Sequence, residues 1–200
     1  FTSPAEGLWS VATNWTEQWP GGWVHAQPAR VSREGDWVRV AGAIELPEGR
    51  LDLTDDYRAE GDVVRGLRRF TWHGKVELPR CTLSVRWQVP GATNAHPLLP
   101  GILYYGNPSG ARTGAGAVAV HPGRPGDASI FEEHRYAAPF AVIEWASAPA
   151  FQSAALHTLP SRVAGGNHAD QWWSLGVIAR ETATELTLLS GPCRANGQPS

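Results

Sequence analysis

Sixteen prolines and 22 glycines are scattered along the 200-residue chain, so that turn-forming residues interrupt it throughout. Proline cannot donate to an inner sheet ladder and is costly inside a helix, while glycine opens the positive φ that tight turns require. Between these breaks lie short runs in which apolar and polar residues alternate, the period of a half-buried strand. Val38, Val40 and Ala41 follow Trp37, and Leu51 and Leu53 alternate with Asp52 and Thr54. Phe70 and Trp72 share one face, and Leu83, Val85, Trp87 and Val89 alternate with Ser84, Arg86 and Gln88. The last two runs are expected to be neighbours, joined through Lys75 to Arg80. Further strands are expected over 102–105, 117–120, 129–135, 141–145, 151–156, 172–178 and 185–189.

No segment of comparable length carries a helical stripe, and no repeat of fixed period points to a propeller or solenoid. The pattern predicts an all-β chain, a large antiparallel two-sheet sandwich of supersandwich-like build, with residues 1–200 forming one domain. Loops are expected at 14–22, 55–62, 91–100, 106–116, 122–127 and 159–170, and long loops on a rigid sandwich are where sites usually sit. Trp37, Trp72 and Trp87 alternate with apolar neighbours and are expected in the core.

Composition narrows the function classes. With 42% hydrophobic and 18% charged residues the chain can bury a core, which excludes disordered and fibrous classes. A net charge of −2 gives no electrostatic footprint for a nucleic-acid backbone. No run of about 18 apolar residues occurs, so no membrane span is expected. One lysine against 16 arginines, with abundant Ala, Gly and Pro, suggests a high-GC bacterial source. The absence of methionine means that Phe1 is not a translation start, and the chain is expected to be processed or a piece of a longer protein. Cys81 and Cys193 can form at most one disulfide and otherwise sit as two buried thiols.

Ten tryptophans dominate the candidate chemistry. Trp9, Trp15, Trp19 and Trp23 fall within fifteen positions, among Asn14, Thr16, Glu17, Gln18 and two glycines. Flat indole faces suit the C–H faces of sugar rings, and nearby amides and carboxylates suit hydroxyls. The alternative is that these side chains simply fill space between sheets. Tyr104, Tyr105 and Asn107 form a second candidate rim, and His168, Asp170 and Trp172 a third.

Phe131-Glu132-Glu133-His134-Arg135-Tyr136 is the densest ionisable cluster, and Glu144 follows on the next expected strand. Glu133, His134 and Glu144 are the candidate catalytic groups, able to move protons or to act as a glycosidase carboxylate pair. A charged strand face accounts for the same pattern. Asp52, Asp55, Asp56 and Tyr57 invite a calcium reading, but no EF-hand spacing is present. No zinc-ligand spacing, phosphate-binding glycine motif or nucleophile elbow occurs, so no metal or cofactor is expected.

The stretch from Pro100 to Gly191 resembles the N-terminal β-supersandwich, related to the galactose-mutarotase fold, that precedes an (α/α)6 barrel in several bacterial glycoside hydrolase families. The resemblance is carried by Gly-Ile-Leu-Tyr-Tyr-Gly-Asn at 101–107, Glu-Glu-His-Arg-Tyr at 132–136, Phe-Ala-Val-Ile-Glu-Trp at 140–145, Asp-Gln-Trp-Trp-Ser-Leu-Gly at 170–176 and Leu-Leu-Ser-Gly-Pro at 188–192. It implies an oligo- or polysaccharide ligand, and a downstream catalytic domain as partner, carrying the main catalytic acids. A mutarotase-like role would ask for a His and a Glu facing the sugar, for which His134 with Glu144 or Glu132 are the nearby groups. Secretion is expected from a polysaccharide substrate. A free-standing lectin-like module and a small complete glycan-processing enzyme are the alternatives.

Overall fold

The structure is a computed structural model that describes residues 1–16, 19–76, 78–99, 128–132, 140–157, 174–189 and 193–195, with the backbone alone at 15–16, 19–21, 78–80, 128–132, 174 and 193–195. Among these residues no helix forms. The strands are β1 (Trp9–Thr16), β2 (Trp19–Ala26), β3 (Arg30–Glu34), β4 (Trp37–Leu46), β5 (Gly49–Glu60), β6 (Val63–Gly74) and β7 (Leu78–Pro90). They continue with β8 (His96–Leu98), β9 (Ala128–Glu132), β10 (Phe140–Ser147), β11 (Ala150–His157), β12 (Ser174–Ala179), β13 (Ala183–Leu189) and β14 (Cys193–Ala195). The pairings β1–β2, β3–β4, β4–β5, β5–β6, β7–β13, β7–β14, β8–β10, β9–β12, β10–β11 and β12–β13 are antiparallel. The chain divides into two compact units.

One unit is built from residues 5–83 together with β14. Its four-stranded sheet runs β3-β4-β5-β6, a meander of neighbouring hairpins. Glu60 pairs with Val63, so the β5–β6 hairpin closes over two residues, and Gly61 at φ +60° supplies the left-handed conformation such a turn demands. Strand alternation buries Ile44, Leu51, Leu53 and Trp72 on one face. The β1–β2 hairpin adds Trp9, which is fully buried. Its ring lies so close to Gly42 that a Cβ there would sit 2.5 Å from the indole, so only glycine fits opposite it.

The other unit comprises residues 1–4 and the described residues between 84 and 189. Here Ser84–Pro90 of β7 pairs with β13, which continues through β12 to β9, while a second sheet runs β11-β10-β8. Leu175, Val177 and Leu186 of the first sheet pack with Ala141, Ile143 and Trp145 of the second, alongside Val89 and Leu99. Each contributes every second residue, as two facing sheets require. The β10–β11 turn consists of Ala148 and Pro149, joined by a cis peptide. The fold is therefore all-β, antiparallel and sandwich-like.

Three expectations are corrected. The runs around Phe70 and Val85 are not neighbours: β6 pairs with β5, whereas β7 pairs with β13. The short turn at Gly61 makes β5 the local partner of β6, and β7 satisfies its ladder with a strand about a hundred positions away. Residues 55–60, read as loop from their polarity, are the second half of β5. They remain in the sheet because arginines on the flanking strands neutralise the aspartates. Residues 14–16 and 19–22 are likewise strand rather than loop.

Of the three tryptophans expected in the core, Trp72 is buried. Trp87 is half-buried opposite Leu186. Trp37 is half-buried beneath the Arg58 guanidinium, 4.9 Å from its ring centroid, a cation–π contact.

Candidate functional site

The β1–β2 hairpin keeps one register on both sides of Thr13 and Gly22: Ser10 opposite His25, Ala12 opposite Trp23, Asn14 opposite Gly21 and Thr16 opposite Trp19. Opposed residues share a sheet face, so positions 10, 12, 14, 16, 19, 23 and 25 lie on one side of the hairpin. Positions 9, 11, 15, 20 and 24 lie on the other, the side on which Trp9 reaches Gly42 and Asp55. The candidate aromatics are thereby sorted. Trp19 and Trp23 fall on one face, about 13 Å apart along the strand, and Trp15 falls on the opposite face.

The first face mixes aromatic and hydrogen-bonding groups. Trp23 is half-buried, and Asn14 and His25 are exposed. Gly22, at φ +62°, keeps the adjoining backbone bare, since a Cβ would crowd the Thr13 hydroxyl at 3.0 Å and the Asn14 amide nitrogen at 3.3 Å. A 2.7 Å hydrogen bond joins Ser10 Oγ to His25 Nδ1. When the hydroxyl donates, the neutral ring carries its proton on Nε2, which remains a donor for a ligand hydroxyl. Sequence reasoning did not select His25 or Ser10. His25 was findable, being two positions beyond Trp23 on the same strand face, but Ser10 emerges only from the pairing register.

Glu144 lies on β10, half-buried, opposite Ser153 of β11 and His96 of β8. A carboxylate and an imidazole thus occupy facing register positions. Its expected partners Glu133 and His134 lie outside the described residues, as do Tyr104, Tyr105, Asn107, His168, Asp170 and Trp172.

The acidic run on β5 resolves into ion pairs. Asp55 points to the buried face, where it accepts from Trp9 Nε1 at 2.9 Å, from the Tyr57 hydroxyl at 2.6 Å and from Arg68 through both Nε and Nη2 at 2.7 Å. Asp56 points the other way and takes Arg39 Nε at 2.7 Å, together with Arg69. Asp52 takes Arg50 Nε at 2.6 Å and His73 Nε2 at 3.1 Å. The alternation of a strand thus puts Asp55 on the opposite face from Asp52 and Asp56. Among the described residues no group of three or more His, Cys, Asp or Glu converges as a metal site.

A shallow depression of about 620 Å³ at the β4–β5 turn is lined by Glu45, Glu48, Arg50, Trp72, His73 and Lys75, among others. Trp72 offers no ring face there, being 6% exposed with its Nε1 donating to the Val76 carbonyl at 2.9 Å. Arg50 is already engaged by Glu45 and Asp52. The depression is a solvated charged turn, and the hairpin face is the better candidate.

These pairs set a pH profile. Arg39 and Arg69 hold the Asp56 carboxyl below its usual range, Arg50 and then His73 do so for Asp52, and Arg58 and Arg65 for Glu60. A depressed carboxylate adds stability above its unfolded value and loses it as pH falls through its folded one. Burial, followed by the Asp55 charge, raises the Tyr57 phenol. The unfolded chain therefore loses that proton first, and stability falls once pH exceeds the ordinary phenol value of about 10. The midpoint of urea unfolding is expected to fall below about pH 4 and above about pH 10. Tyr57→Phe should flatten the alkaline fall and leave the acid one; an unchanged alkaline limb would contradict the assignment.

Comparison with protein-family models, with curated protein sequences and with solved structures returns no match for this chain.

Proposed function

We propose that the chain binds an oligo- or polysaccharide through the part of the β1–β2 hairpin that carries Trp19, Trp23, Asn14 and His25, beyond the buried Ser10 and Ala12 of the same face. In this reading it is the N-terminal β-sandwich part of a secreted bacterial glycoside hydrolase, whose main catalytic acids reside in a further domain. The observation that carries the proposal is the alignment of Trp19 and Trp23 on one strand face beside Asn14 and the Ser10-held His25. Indole surface supplies stacking on pyranose C–H faces, and the amide and imidazole supply directional contacts to hydroxyls. The likeness of residues 100–191 to a mutarotase-type supersandwich supports the enzymatic setting. A free-standing lectin-like module would use the same face.

A glycan-panel titration of the chain, following tryptophan fluorescence and released reducing sugar together, tests this. Saturable binding without turnover is expected, and Trp23→Ala and Trp19→Ala should each weaken it by about 2 kcal/mol, roughly 30-fold in Kd. Binding undiminished in both variants would remove the hairpin from the site. Turnover abolished by Glu144→Gln would favour the complete small enzyme, in which the register facing of Glu144 and His96 provides a carboxylate and an imidazole side by side.

A further inference from the structure

The chain contains two cysteines, and the fold brings them together. Strand β14 pairs with β7 so that Cys193 is the register partner of Cys81, although the two stand 112 positions apart in the chain. Directly opposed residues of an antiparallel pair have Cα atoms about 4.5 or 5.5 Å apart, depending on their place in the ladder. Both separations fall inside the range of about 4.4–6.8 Å that a disulfide spans. The register shifts between Cys193 and Ala195, an irregularity that lets a short strand adjust locally. Cys81 is buried, at 2% exposure. Both cysteines belong to the unit of residues 5–83 and 192–200, and in sequence they bracket residues 84–191, the stretch that builds the other unit.

We propose that Cys81 and Cys193 are joined as a disulfide in the mature protein, fastening β14 to β7 and closing the loop of chain that contains the second unit. The proposal is independent of the glycan reading. The oxidant required is a small-molecule disulfide of the glutathione type. One cysteine thiolate attacks it, forming a mixed disulfide and releasing one glutathione thiol. The second cysteine thiolate then attacks the protein sulfur of that mixed disulfide and releases the other. Two protein thiols are oxidised, two electrons pass to the oxidant, and the two protons end on the released thiols. Because Cys81 is covered in the folded chain, the bond forms as β14 docks during folding and is afterwards shielded from reduction. Such a bond persists only in an oxidising compartment, so its presence would mark an exported protein.

The test is to refold the chain in a buffer of oxidised and reduced glutathione, then denature it and treat it with a maleimide. The proposal expects no labelling, an intact mass lighter by two hydrogens, and a single linked peptide pair containing Cys81 and Cys193. Reduction should lower the melting temperature by about 10 °C, because the bond no longer restricts a long loop in the unfolded chain. The Cys81→Ser/Cys193→Ser double variant should melt with the reduced protein and be insensitive to reductant. Labelling of both cysteines after oxidative refolding, or linkage only between separate chains, would overturn the proposal. A linked pair whose reduction leaves melting unchanged would overturn its stabilising role.

Discussion

Asp55→Ala is expected to lower the stability of the protein by about 3–5 kcal/mol in urea unfolding, because it removes a buried acceptor shared by three side chains at once. Arg68, only 12% exposed in its side chain, would keep its charge without the carboxylate that both its Nε and Nη2 now reach at 2.7 Å. Trp9 Nε1 and the Tyr57 hydroxyl would lose the same acceptor. Asp55 is itself 1% exposed, so water cannot simply replace it. The near-ultraviolet signal of Trp9 should broaden along with the loss, because that hydrogen bond fixes the indole against Gly42. A cost below about 1 kcal/mol would mean that the cluster is solvated and does not anchor the β1–β2 hairpin to the β3–β6 sheet.

Glu185→Ala is expected to cost about as much, again roughly 3–5 kcal/mol, in the other unit. Glu185 is fully buried and receives Arg86 Nε at 2.6 Å and Arg180 Nη2 at 2.8 Å. Arg86 is 10% exposed in its side chain, so it would remain as a buried cation without the carboxylate that now receives it. The penalty belongs to the charge left buried rather than to the net worth of the pair. Replacing both groups with apolar residues of similar size, as in Glu185→Leu/Arg86→Leu, should therefore recover most of the loss. A double variant as unstable as Glu185→Ala would show instead that the ionic contact itself holds β7 to β13.

How much of this was legible in the sequence follows from the range of each interaction. Strands β4 to β7 and β10 to β13 were readable because their alternation is local, Leu51-Asp52-Leu53 and Phe70-Thr71-Trp72 being direct statements of a two-residue period. The β1–β2 hairpin was hidden by its own composition, since Asn14, Pro20, Gly21 and Gly22 read as loop, whereas pairing turns them into strand. Asp55 and Asp56 were misleading for the same reason. The arginines that permit two adjacent carboxylates inside a sheet stand 13 or 17 positions away, and the partner of Arg86 stands 99 away.

The candidate site divides along the same line. Aromatic clustering singled out Trp15, Trp19 and Trp23, but only the register separates position 15 from the other two. His25 was within reach of the alternation rule, whereas its contact with Ser10 and the facing of Glu144 by His96 required the strand pairings. The facing of Cys81 by Cys193 is the longest-range case of all, invisible until β14 is paired with β7.

The most direct test of the central claim is to follow the indole N–H resonances of the ten tryptophans in an ¹⁵N-labelled chain while a binding glycan is titrated, assigning each by single Trp→Phe substitution. The account predicts saturable shifts of the Trp19 and Trp23 signals, accompanied by the His25 ring, with the buried Trp9 and Trp72 signals unmoved. Shifts confined to other tryptophans, or none with any glycan in the panel, would contradict it.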